Sequence, residues 1–189
     1  GYTLHPELAE PARLLVSEGY DYDDDDPDPL DDLTDDVLDN PGHGTGTGSV
    51  ILSGVGSATG GTAPFVSGVA PHALLIPIRT TESVVLFSMR GLRQALDHAT
   101  THGAQVVSIS LGGPFPGFGT ERAIARAIEA GTIVLAAAGS LDADGGRQAR
   151  RLASRILRSP GYGAALRRAG RLEPADQHRR HQLLRLSVG

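Results

Sequence analysis

"SMRGLRQALDHATTHGAQVVSISLGG" (Ser88–Gly113) passes from a 3.6-residue period into a continuous apolar run, and that passage decides the fold. Met89, Leu92, Ala95, Leu96 and Ala99 share one face of a predicted helix. Ser88 is placed to cap its start, and Gly103 suits its exit. "QVVSISL" (Gln105–Leu111) follows at once and is rich in β-branched residues, so it predicts a strand. Such a run, apolar on both faces, belongs in a sheet covered on both sides.

Working outward, the same alternation continues. "GTERAIARAIEAG" (Gly119–Gly131) predicts a second helix, with Thr120 as its cap, Glu121 favourable in the first turn and Gly131 at its end. "TIVLAAAG" (Thr132–Gly139) predicts the next strand, and "HALLIPIR" (His72–Arg79) an earlier one. Strand–helix–strand–helix–strand predicts the α/β class, a parallel β-sheet flanked by helices. Right-handed crossovers place all strand C-terminal ends at one edge, where open α/β sheets bind ligands. Ser110–Gly113 and Ala136–Ser140 are therefore expected side by side at the rim of a cleft.

The 189 residues suffice for one core, built on Val, Leu, Ile and Ala because aromatics are only 4%. The chain has no cysteine, which excludes disulfides, thiolate metal sites and a cysteine nucleophile. No run approaches a membrane-spanning length. The chain opens on Gly1 without a basic-then-apolar leader, so no signal peptide is visible and the start reads as a cut into something longer.

Charge divides the chain into three. Residues 1–40 hold 14 acidic residues against one arginine, residues 41–140 hold 4 against 5, and residues 141–189 hold 4 against 11. "GYDYDDDDPDPLDDLTDDVLDN" (Gly19–Asn40) carries 11 aspartates and predicts a solvated, mobile loop. Calcium is the one cation its carboxylates suggest, although the spacing is not that of an EF-hand loop. In the basic region, Ala149, Leu152, Ala153, Ile156 and Leu157 predict a helix within 145–159. Residues 160–189 contain no strand-like run, and a sheet that stops before them leaves an exposed edge unless they cover it. No aromatic pattern in this tail suggests nucleic acid as a partner.

Four segments together resemble the subtilisin-like serine peptidases. "GHGTGTGSVILSG" (Gly42–Gly54) is similar to the family's catalytic-histidine segment, and "SGVAPHALLIPIR" (Ser67–Arg79) to the turn and strand that follow. "GAQVVSISLGG" (Gly103–Gly113) resembles the substrate-binding strand, and "GTIVLAAAGS" (Gly131–Ser140) the oxyanion strand. "HPEL" (His5–Leu8) resembles the turn after the catalytic aspartate. The resemblance covers about residues 1–140 as a partial peptidase domain, with the acidic loop at 19–40, and leaves 141–189 as an Arg-rich, atypical tail. It implies an incomplete subtilisin-like three-layer sandwich and peptide-bond hydrolysis by an Asp-His-Ser triad.

By that resemblance His43 is the general base, which takes the serine proton and returns it to the leaving amine. Ser110, Leu111 and Gly112 bind the peptide along an open strand edge. Ala137, Ala138 and Gly139 line the pocket for the side chain before the scissile bond. The resemblance implies a polypeptide substrate, an extracellular or cell-envelope setting, no resident metal and no cofactor other than the calcium already raised.

The chain departs from the pattern in three places. The family's aspartate lies in an Asp-Thr-Gly motif whose glycine Gly1 matches, so the acid is expected to precede this chain. The oxyanion asparagine is replaced by Ser140, whose hydroxyl is shorter and expected to fall short of the oxyanion. None of the Gly-Thr pairs at Gly44, Gly61, Gly119 and Gly131 is followed by the family's nucleophilic serine. Two readings remain open: an endopeptidase domain inactive in this form, and a non-catalytic module that binds peptides along Ser110–Gly113.

Overall fold

The computed structural model describes residues 4, 5, 8, 13–31, 33, 40–53, 67–86, 88–113, 119–137 and 185–188. Its elements in chain order are β1 (Tyr20–Asp21), α1 (His43–Leu52), β2 (Leu74–Arg79), α2 (Arg90–Thr101), β3 (Val106–Ile109), α3 (Thr120–Glu129), β4 (Ile133–Ala136) and β5 (Arg185–Val188). The sheet runs β1-β2-β5-β3-β4, with every pair parallel.

Residues alternate faces along a strand, so β2 serves two cores. Ile76 and Ile78 join Leu92, Leu96, Ala99, Val107, Ile109, Ile124, Ile128 and Val134 beneath α2 and α3. Leu75 turns the other way, to Leu8, Leu14 and Leu52 at the end of α1. Helices therefore cover both faces, giving the three layers of an α/β sandwich, as predicted. Leu96 is 1% exposed, and truncating such a side chain to alanine costs about 2–5 kcal/mol.

The helix exits follow from their glycines. Gly103 and Gly131 take φ of +70° and +99°, a left-handed conformation that admits glycine without a Cβ clash. After α2, Ala104 N–H donates to Ala99 O and Gly103 N–H to Thr100 O; after α3, Thr132 N–H donates to Ala127 O and Gly131 N–H to Ile128 O. Both exits are thus the same double-bonded C-cap. The buried Thr132 hydroxyl ties them together by donating to Ala104 O at 2.9 Å.

Four expectations are corrected. α3 is capped by Gly119 in the left-handed region, not by Thr120. Thr120 is the first helical residue, turned inward, and its buried hydroxyl finds no partner among the described residues. α2 begins after Met89, with the Ser88 hydroxyl accepting Arg90 N–H at 3.3 Å one position earlier. The acidic run is not solvated throughout, because Tyr20–Asp21 forms the first strand and Asp21 is 1% exposed. Finally, the region predicted to hold no strand supplies β5, which enters the middle of the sheet rather than covering an edge. The helix predicted within 145–159 lies outside the described residues.

Candidate active site

α1 starts at His43 because Gly42 turns the chain sharply, at φ +77°. His43 N–H donates to Asn40 O, and Gly42 N–H donates to Asp31 Oδ2 at 2.9 Å. A carboxylate there complements the positive end of the helix dipole, which has no acidic residue in its own first turn. The Thr47 hydroxyl donates back to the carbonyls of His43 and Gly44, each at 3.1 Å. Small residues keep this turn close to β2, with Gly48 packed under Leu75 and Leu8.

The His43 ring is half-buried, and its Nε2 lies 3.2 Å from Ser110 O, just beyond β3. A carbonyl oxygen only accepts, so Nε2 carries the proton and Nδ1 the lone pair in the neutral ring. Among the described residues no carboxylate hydrogen-bonds the ring. A cavity of about 60 Å³ between His43, Gly44, Pro77, Thr80, Val84 and Leu111 has room for water beside the ring.

The end of β3 meets the end of β4, as predicted. Ala137 N–H donates to Ile109 O at 3.0 Å, placing exposed Ala137 beside Ser110. Ala138, Gly139 and Ser140 lie outside the described residues. Leu111 is buried. The edge expected to be open is already paired at Gly112, whose N–H donates to Val84 O at 3.0 Å and whose carbonyl accepts Leu86 N–H at 2.6 Å. The two segments form a parallel bridge, Val85 opposite Gly112. Gly113 permits this approach, since a Cβ there would run into the Leu86 carbonyl.

Sequence reasoning missed two groups that shape this rim. Asn40 pins the segment after β2 to the start of α1: its Oδ1 accepts Val84 N–H at 3.1 Å and its N–H donates to Glu82 O at 3.1 Å. Arg79, 6% exposed, donates from Nη1 to Asp21 Oδ2 and Asp24 Oδ2, each at 2.6 Å, and from Nη2 to Glu82 Oε1 at 3.3 Å. Burial opposes its charge, but hydrogen bonds to Asp21 and Asp24 outweigh that and raise its pKa. Asp21 Oδ1 accepts the N–H groups of Asp23 and Asp24. These carboxylates face a guanidinium, and among the described residues no three potential metal-ligating side chains converge. The local signal for Arg79 was a lone cation closing an apolar strand; its partner lies 58 positions away.

No helix among the described residues is long and apolar enough to cross a membrane. The profile of the Subtilase family matches residues 4–154. Thermitase of Thermoactinomyces vulgaris is 29% identical over 136 residues, 72% of this chain and 43% of the relative. A thermophilic serine proteinase of Bacillus sp. strain AK1 is 30% identical over 136 residues, 72% and 30% of the two chains. Subtilisin DY of Bacillus licheniformis is 31% identical over 107 residues, 57% and 37%. The chain spans less than half the length of each of these relatives. The match, running through the histidine segment and the β3 and β4 rim just described, shows that this chain belongs to the subtilase family of serine peptidases.

Proposed function

We propose that this chain carries the histidine and substrate-binding half of a serine endopeptidase, with His43 as general base and Ser110–Gly112 pairing with the peptide backbone once the Val84–Leu86 segment is displaced from Gly112. Ala137, Ala138 and Gly139 line the pocket for the side chain before the scissile bond, in an extracellular or cell-envelope setting. The observation that carries this reading is the approach of His43 Nε2 to Ser110 O across 67 positions of sequence. It brings the only family-matched base and the peptide-binding edge within one residue's reach. A polypeptide substrate follows from the family.

We further infer that the chain is inactive by itself. An imidazole base needs a fixed carboxylate on Nδ1 and a serine on Nε2. Here Nε2–H is directed at a carbonyl, the sequence has a single asparagine, at position 40, and it has no Gly-Thr-Ser. The expected result with fluorogenic apolar peptides is binding without cleavage. Turnover by the purified chain that disappears in His43→Ala overturns the inactivity; loss of peptide binding in an intact fold overturns the substrate-edge assignment.

A second reading, a peptide-binding module without catalysis, draws support from Gly112. Its N–H and carbonyl pair with the Val84–Leu86 segment in parallel register, so this edge takes an extended chain, and a bound peptide takes that segment's place. Peptide affinity that persists in His43→Ala, with no cleavage by any longer form of the chain, favours this reading over the first.

A further inference from the structure

Ile109 O accepts the N–H of Ala137 and so faces β4, whereas Ser110 and Gly112 bond away from β4. Backbone groups alternate edges along an extended segment, so Ser110 and Gly112 share one edge. Ser110 O lies 3.2 Å from His43 Nε2. Gly112 N–H donates to Val84 O and Gly112 O accepts Leu86 N–H, with Val85 opposite in parallel register. The edge read above as peptide-binding is thus occupied by two parts of the same chain, the His43 ring and an extended Val-Val-Leu strap.

The strap has the character of an apolar peptide. Val85 is 41% exposed and lies at the surface, while Leu86 is buried and anchors the strap in the core. Ahead of it, Ser83 N–H donates to Thr81 Oγ1 and Val85 N–H to Ser83 Oγ, so local hydroxyl turns shape the approach. Asn40 bonds both occupants. Its carbonyl accepts His43 N–H, its Oδ1 accepts Val84 N–H at 3.1 Å and its own N–H donates to Glu82 O at 3.1 Å. The Oδ1 bond is solvent-exposed and spans 44 positions of sequence, so it holds the strap without burying a polar group.

We propose that Val84–Leu86 is an autoinhibitory strap on the peptide edge and that Asn40 is its latch, a positioning residue that ties the strap to the turn carrying His43. This rests on the reading of Ser110–Gly112 as the peptide edge. A peptide binds only the fraction of molecules whose strap has left Gly112, which weakens its apparent affinity by that fraction. Its entry replaces both strap bonds and, at Ser110, competes with the ring N–H of His43.

The test titrates the full-length chain with a fluorescein-labelled apolar tetrapeptide by anisotropy and follows amide exchange at Leu86 and Gly112. Asn40→Ala removes the Oδ1 acceptor alone and is expected to raise peptide affinity and both exchange rates by about two- to tenfold, the worth of one hydrogen bond. A residue that only stabilised the fold would lower affinity on removal, and that result overturns the latch. Val84→Pro removes the same bond from its donor side and is expected to act alike, so the test survives if Asn40→Ala fails to fold. Asn40→Asp keeps an acceptor and is expected to match the unmodified chain. Equal affinity and equal exchange in all of these proteins also overturn the latch. Peptide that binds while Leu86 and Gly112 exchange as in the free chain overturns the strap. Faster exchange in Asn40→Ala with no peptide binding by any variant supports the latch and instead overturns Ser110–Gly112 as the peptide edge.

Discussion

His43 Nε2 rests 3.2 Å from the carbonyl oxygen of Ser110, and this contact joins the first turn of α1 to the end of β3. It also directs a ring N–H at the Ser110 carbonyl, leaving the lone pair on Nδ1. His43→Ala is expected to lower stability by only about 1 kcal/mol, one partly buried hydrogen bond, and to leave peptide hydrolysis at the uncatalysed background. Urea unfolding together with a fluorogenic assay checks both. A cost several times larger would mean that the ring holds the rim together.

Two of the charged pairs should differ sharply. Arg79 and Asp21 are almost fully buried, whereas Arg126 and Asp97, which join α3 to α2, are 55% and 51% exposed in their side chains. Arg79→Met leaves a buried carboxylate uncompensated and is expected to cost about 3–5 kcal/mol. Arg126→Ala is expected to cost less than about 1 kcal/mol, because solvent screens that pair even in its bidentate form. Equal losses in paired denaturation curves would contradict the burial contrast.

His98 makes the fold sensitive to mild acid. Its Nε2–H donates to Glu18 O at 2.8 Å, its Nδ1 accepts the Tyr22 hydroxyl at 3.0 Å, and His102 stacks on it at 4.1 Å. Tyr20 also faces the ring, and Asp97 precedes it on α2. Burial lowers its pKa below the usual 6.5 and the neighbouring His102 lowers it further, with the Glu18 carbonyl in partial opposition. The unfolded chain then binds the proton more readily. The stabilisation is complete above about pH 6.5 and is lost as pH falls through the lower folded value. Thermal melts from pH 7.5 to 5.5 should show a falling midpoint, and His98→Gln should flatten that slope.

Gly113→Ala is expected to cost about 1–3 kcal/mol, since the new methyl meets the Leu86 carbonyl and must push the two segments apart. Faster amide exchange at Leu86 and Gly112 should accompany the loss, because those N–H groups make the cross-segment bonds. Unchanged exchange would show that the rim adjusts elsewhere.

Much of the architecture was legible because its causes are local. The apolar faces of α2 and α3, the glycines at 103 and 131 and the β-branched runs between them each act within a few residues. The order of the family-matched segments then carried His43 and the β3 and β4 ends into one site. The rest depends on partners distant in sequence. Asp21 is buried because Arg79 reaches it, and the Gly112 edge is closed because Val84 and Leu86 lie against it. "RLSV" alone has too few apolar residues to announce a strand. It becomes the central strand because β2 and β3 present two buried backbone edges that only a third chain segment can pair. Local sequence determined α2, α3 and the strands beside them; the tertiary structure decided that Tyr20–Asp21 and Arg185–Val188 extend as strands, because backbone pairing reads position in space and not side-chain identity.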